Sequence, residues 1–206
     1  MYEFQRLPIL EFTTNRSNIL KLVRAYTGLL VLVSAIIGLD QWTKWLVREN
    51  IPFMGIWVPE GFEWIAPYAR IVHWYNTGAA FGMFQGYGWI FTSLAFVVAG
   101  MIIYYYPRTD PQDWWLRLAM GMQMSGALGN VIDRLTLDWK VTDFISVGDF
   151  PVWNVADASI SVGVVILLIG VWWKESREKR QISEHEAGQD SAEDQHVVEQ
   201  TDEYAI

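Results

Sequence analysis

Residues 155–173 decide the fold class: Val155-Ala156-Asp157-Ala158-Ser159-Ile160-Ser161-Val162-Gly163-Val164-Val165-Ile166-Leu167-Leu168-Ile169-Gly170-Val171-Trp172-Trp173. After Asp157 the run carries no charge until Lys174. Crossing ~30 Å of hydrocarbon takes roughly 20 helical residues, so the stretch is long and apolar enough to span a membrane. Its last two residues are tryptophans, which favour the membrane–water interface. Asn154 just before it reads as a helix N-cap, and Asp157 three positions later sits at the positive end of the helix dipole.

Three further runs of similar length lie upstream. The first extends from Leu22 to Leu39 and continues amphipathically through Asp40, Trp42, Lys44, Trp45 and Val47. The second, Gly88 to Tyr106, holds no charge and is broken by Pro107. The third, Trp114 to Leu135, carries Arg117, Gln123 and Ser125 and is rich in small residues (Ala119, Gly121, Gly126, Ala127, Gly129), a composition suited to packing against helices rather than lipid. Four such stretches in 206 residues leave too little chain to cover them as the core of a soluble helical protein. The first run lacks a small-x-small cleavage site, since Ile37-Gly38-Leu39 leads into Asp40, and is expected to be retained rather than removed as a signal peptide.

The expected fold is therefore an all-α integral membrane protein with four transmembrane helices. Lys and Arg near the spans orient it: with the N-terminus inside, ten fall on the cytoplasmic side and five (Lys44, Arg48, Arg70, Arg134, Lys140) on the other, which favours N-in and C-in. Residues 49–85 form an outer segment with Pro52, Pro59 and Pro67 and a β-prone stretch from Ala69 to Tyr75, so a small outer-face β or loop element is expected between helices 1 and 2. The domain reading is a polar lead over residues 1–20, a membrane domain over 21–174, and an acidic, disordered cytoplasmic tail over 175–206.

Charge and composition narrow the function. Eight of the 23 acids lie in residues 181–206, which hold no Lys or Arg, so the other 180 residues carry 15 charges of each sign. The acidic balance belongs to the tail, and no basic nucleic-acid footprint exists. With no cysteine, and with His73, His185 and His196 scattered, thiolate catalysis and Cys- or His-based metal sites are excluded; no metal or other cofactor is expected.

Polar groups converge on the outer membrane boundary: Asp40 and Lys44 end the first helix, Asn76 and Gly78 lie in the first outer loop, and Asn130, Asp133 and Arg134 end the third helix. Asp143 lies in the second outer loop, and Asn154 and Asp157 open the fourth helix. Ionisable groups near hydrocarbon are expensive and mark functional sites by default. Asp133 has Arg134 beside it and reads as an ion pair fixing the helix end, with Asn130 one turn earlier on the same face. Asp143, between Val141-Thr142 and Phe144-Ile145, has an apolar setting in which burial raises a carboxyl pKa. Two carboxylates sharing one proton can activate a water for attack on a peptide carbonyl without metal, serine or thiol. From spacing alone, Asp133 with Asp157 is as good a pair as Asp143 with Asp157. A transporter or proton relay using Asp40, Lys44, Asp133 and Asp157 is the alternative, against which stand the clustering at one boundary and the absence of an inverted repeat.

Five segments together resemble the bacterial lipoprotein signal peptidase, or signal peptidase II, family: Asp40-Gln41-Trp42-Thr43-Lys44, Asn76-Thr77-Gly78-Ala79-Ala80-Phe81-Gly82, Gly126 through Arg134, Val141-Thr142-Asp143-Phe144-Ile145, and Asn154-Val155-Ala156-Asp157. The resemblance runs from Leu39 to Gly163 in the family's order. It implies a membrane aspartic peptidase of the bacterial inner membrane, active at the outer face, that removes the signal peptide from diacylglyceryl-modified prolipoproteins just before the lipid-bearing cysteine. On the matching motif positions, Asp143 and Asp157 would be the catalytic carboxylates. Asn130, Asp133, Arg134, Asn154 and Ala156 would support the site, while Asp40, Lys44, Asn76 and Gly78 would shape the pocket or contact substrate. The implied partners are the prolipoprotein substrates and membrane lipid. The chain departs from the family in a stretch between Asp143 and Asp157 that is shorter by a few residues, in Trp153 where Phe is common, and in the order Ala158-Ser159. An inactive, lipoprotein-binding relative is a further reading of the same resemblance.

Overall fold

The computed structural model describes residues 16–78 and 83–203. Four long helices, α1 (Arg16–Asn50), α2 (Gly88–Tyr105), α3 (Trp114–Thr136) and α4 (Val155–Glu203), carry three strands, β1 (Ile56–Trp57), β2 (Ala69–Asn76) and β3 (Val141–Val147). The helices turn their apolar side chains outward and their charges inward. Leu30, Val31, Leu94, Val97, Val165, Leu168 and Ile169 are exposed, whereas Asp40, Lys44, Asn130, Asp133, Asp143 and Asn154 are buried. This inversion of the soluble pattern is what a hydrocarbon solvent demands, because a charge facing lipid is far costlier than a leucine facing it.

Among the described residues, three helical stretches are long and apolar enough to cross a membrane: Ile19–Asn50, Gly88–Arg108 and Val155–Lys179. Helix α3 is not among them. It packs against α1, α2 and α4 through a small and polar face that includes Ala119, Gly121, Ser125, Gly126, Gly129, Asn130 and Asp133. Its glycines set the spacing: a Cβ on Gly126 would lie 2.3 Å from the Ala156 carbonyl oxygen, and one on Gly129 would lie 2.8 Å from Asp40 Oδ2. Close backbone approach of this kind replaces the hydrophobic drive that lipid cannot supply.

Two apolar clusters bracket the bundle. Ala25, Leu29 and Val33 of α1 pack with Ile102, Tyr106, Met120, Met124 and Leu128 at one end. Val47, Ile51 and Phe144 pack with Ile71, Ile145 and Val155 at the other, beneath an antiparallel sheet ordered β1-β2-β3. The expected β element between helices 1 and 2 is present, but its third strand comes from between α3 and α4, so Asp143 lies on a strand rather than in a loop. Opposite Asp143 stands Trp74, and the β2–β3 register shifts between Ile71 and Trp74. After α3 the chain reverses through Asp138 and Trp139, both at positive φ, which brings Thr142 N–H to Asp133 Oδ2 at 2.8 Å.

Residues 1–15 of the lead lie outside the described residues, and residues 16–20 already belong to α1. Helix α4 is assigned as far as Glu203, through most of the stretch read as the tail. Its content of Glu, Gln, Lys, Arg and Ala gives it strong helix formers despite its few apolar residues, and the Glu175–Lys179 pair at 2.7 Å lies one turn apart.

Candidate active site

The polar groups meet at the start of α4. Asn154 and Asp157 cap it reciprocally: Asp157 N–H donates to Asn154 Oδ1 at 3.0 Å, and Asn154 N–H donates to Asp157 Oδ2 at 3.2 Å. This is the capping box expected from their spacing. The Asn154 side-chain amide donates to Asp143 Oδ1 at 2.7 Å and to Asn130 Oδ1 at 3.1 Å. One fully buried residue therefore links Asp143 of β3 to Asp157 of α4.

Each carboxylate has a second amide donor. Asn130 Nδ2 donates to Asp157 Oδ1 at 2.8 Å, and Asn76 Nδ2 donates to Asp143 Oδ2 at 3.0 Å. Gly78 N–H in turn donates to Asn76 Oδ1 at 2.9 Å, fixing which way that amide faces. A Cβ on Gly78 would lie 2.4 Å from the Met83 carbonyl oxygen, so only glycine lets the chain fold back so closely here. Ala79, Ala80, Phe81 and Gly82 of the same motif lie outside the described residues. Asp143 is buried to 2% exposure. Burial pushes its carboxyl up to about 7, and the neighbouring Asp157 charge acts the same way; the amides of Asn76 and Asn154 and the Lys44 ammonium pull in the opposite direction.

Beneath this pair lies an ionic layer. Lys44 Nζ contacts Asp40 Oδ2 at 2.9 Å, Asn130 Oδ1 at 2.9 Å and Asp133 Oδ2 at 3.5 Å. Asp40 Oδ1 accepts from Ala156 N–H at 2.9 Å, tying α1 to the first turn of α4. Gln41 Nε2 reaches Asp40, Asp133 and the Gly129 carbonyl, and Arg48 Nη1 donates to Thr142 Oγ1 at 2.9 Å and lies 3.9 Å from Asp133 Oδ1. Asp133 is thus supplied with donors from Lys44, Gln41 and Thr142 N–H and closed off by Arg48.

Ten of the eleven residues singled out in the sequence join one hydrogen-bonded network: Asp40, Lys44, Asn76, Gly78, Asn130, Asp133, Asp143, Asn154, Ala156 and Asp157. Asp40 and Lys44 have no exposed surface. One reading changes. Arg134 does not pair with Asp133, because adjacent residues on a helix point about 100° apart. Its guanidinium lies over the Phe91 ring, 5.4 Å from the centroid, its Nε has no hydrogen-bond partner among the described residues, and its largest charge interactions are with Asp157 and then Asp143. Sequence reasoning passed over Gln41, Arg48 and Thr142; for Arg48 the signal was available, since Asp40, Lys44 and Arg48 recur every four residues on one helical face.

The family model described as "Signal peptidase (SPase) II" matches residues 32–173. The chain belongs to the signal peptidase II family. It is similar to the lipoprotein signal peptidase of Shouchella clausii, with 39% identity over 146 residues covering 70% of this chain and 93% of the relative. The lipoprotein signal peptidase of Geobacillus thermodenitrificans is 38% identical over 153 residues, covering 72% of this chain and 92% of the relative. Among solved structures, a bacterial membrane enzyme solved by the in meso method superposes with a TM-score of 0.66 at 24% identity, covering 73% of this chain and 91% of that one. As a signal peptidase II family member the chain is an aspartic peptidase and a membrane protein.

Proposed function

We propose that the chain is a membrane endopeptidase that cleaves diacylglyceryl-modified prolipoproteins just before the lipidated cysteine, using a water activated by Asp143 and Asp157. The observation that carries the pair is Asn154, which holds Asp143 by its side-chain amide and Asp157 by its backbone N–H. Asp133, the rival in the sequence, is occupied by donors on all sides and 1% exposed, which leaves it a supporting role.

The cluster contains four carboxylates (Asp40, Asp133, Asp143, Asp157) against three cations (Lys44, Arg48, Arg134), and one proton on Asp143 brings it to neutrality. Asp157, at the N-terminus of α4, carries the anion and takes a proton from water as the water oxygen attacks the scissile carbonyl carbon. Asp143 gives its proton to the carbonyl oxygen. The tetrahedral intermediate then collapses: the C–N bond breaks, the amine leaves with the proton gathered by Asp157, and Asp143 recovers one from the diol. We read the fold as four spans, α3 included, N-in and C-in, with residues 21–174 as the catalytic unit and the pair at the outer boundary of the bacterial inner membrane. The acyl chains of the substrate then enter sideways from lipid.

The test is a gel-shift cleavage assay in detergent with a prolipoprotein presented with and without its diacylglyceryl group. Only the lipidated form should be cut, with activity lost in Asp143→Asn and Asp157→Asn and weakened in Asp133→Asn. A folded wild type that cuts neither form overturns the proposal.

A further inference from the structure

We propose that Lys44 is a positioning residue that sets, through Asn130, which carboxylate of the pair carries the negative charge. The proposal rests on the two-carboxylate reading above. Lys44 has no exposed surface, and its ammonium meets three acceptors, Asp40 Oδ2, Asn130 Oδ1 and Asp133 Oδ2, one for each of its N–H bonds. An ammonium only donates, so the atom of Asn130 facing it has to be the carbonyl oxygen. The amide nitrogen of Asn130 then has to face the other way, where it meets Asp157 Oδ1 at 2.8 Å. Asn154, whose own amide is oriented by Asp157 N–H, donates to the same Asn130 oxygen and agrees with this sense.

The consequence is directional. Asp157 receives an N–H donor that favours its anion, and Asp40 and Asp133 are the buried counter-charges of the Lys44 ammonium. With Lys44 removed, Asn154 alone opposes a turn of Asn130 that brings its nitrogen toward Asp40 and Asp133 and its oxygen toward Asp157. The charged groups facing the pair are Asp40, Lys44 and Arg48 from α1, Asp133 and Arg134 from α3, and the pair itself on β3 and α4; β2 contributes only the neutral Asn76.

The experiment replaces ammonium and counter-ion together, Lys44→Met with Asp40→Asn, so that no unpaired charge is left and the amide at position 40 still offers an oxygen to Ala156 N–H. The expected result with lipidated substrate is a fall in kcat of roughly tenfold to a hundredfold, the scale of one hydrogen bond to a charged group, at unchanged KM. The acidic limb of the rate profile should rise by about one pH unit. In an Asn130→Ala background the same pair of changes should add little. The position of a limb compares rates of one preparation across pH, so it is readable however much of the variant folds. A limb that stays in place, or losses that multiply fully across the Asn130→Ala background, overturns the role. Asp157→Asn separates this failure from that of the pair: full activity there refutes the two-carboxylate reading itself, and this role with it.

Discussion

Replacing Asn76 with alanine tests how the Asp143 proton is held. Burial and the Asp157 charge favour the neutral acid, two amides and the Lys44 ammonium favour the anion, and the balance places Asp143 at about 7. Loss of that proton should therefore set the alkaline limb of kcat/KM in the free enzyme. Asn76→Ala removes one of the two amide donors, the one at 3.0 Å. A hydrogen bond to a charged acceptor contributes about 1.5–3 kcal/mol, and because Asn76 is only half-buried the lower end applies, about 1.5 kcal/mol or one pH unit. The sign follows from the state that is stabilised: without the donor the anion is harder to form, so the limb moves up, to about 8. Initial rates on lipidated prolipoprotein from roughly pH 5 to pH 9 would show activity persisting to higher pH in the variant, despite a lower plateau. A limb that does not move, or that moves down, refutes the assignment of the shared proton to Asp143.

Gly126→Ala places a methyl 2.3 Å from the Ala156 carbonyl oxygen, so α4 has to shift at its first turn, where Asp157 sits; kcat should fall at least tenfold with Asp143 chemistry otherwise intact. Asp143→Asn should abolish cleavage yet stabilise the fold as pH rises. The folded value of about 7 exceeds the ordinary 3.8, so the neutral form is favoured in the native state, and wild-type stability is full below about 3.8 and is lost as pH climbs through about 7. The amide escapes this loss, at most about 4 kcal/mol, and thermal unfolding in detergent should show its advantage over wild type growing between pH 4 and pH 8; an advantage independent of pH refutes it. Arg48→Met removes the donor to Thr142 but leaves Asp133 with Lys44, Gln41 and Thr142 N–H, so activity should drop by less than about fivefold, measured as kcat/KM.

What was legible in the sequence was local. The N-cap at Asn154 with Asp157 three residues on needs only helix geometry, and the turn-by-turn recurrence of Asp40 and Lys44 places them on one face before any partner is known. The small residues of α3 announced close packing, and Gly126 and Gly129 meet α4 and Asp40 as such residues do. What was not legible depends on distant partners. Asp143 looked like a loop residue because β2, the strand that pairs with β3, lies 67 residues away at Asn76. The choice of Asp143 over Asp133 that we propose does not follow from spacing, since it turns on how many donors each receives from other elements. Arg134 follows Asp133 in sequence yet points away from it, because successive residues on a helix do not face each other.

The same physics explains why chemistry and assembly share residues here. Lipid offers helices no hydrophobic reason to associate, so α1, α3 and α4 need interactions that hydrocarbon cannot satisfy, and the Asp40–Lys44–Asn130–Asp133 layer supplies them. Placing that layer at the first turn of α4 also delivers oriented amides to two carboxylates. Asp157 is fixed by the helix start and by Asn130, both part of what holds the bundle together. Asp143 stands apart: its two amide donors come from β2 and from Asn154, and its own carboxylate ties no pair of long helices together. Its burial is therefore a cost of having an acid that keeps its proton near neutral pH, and the stability of the fold has to come from its neighbours.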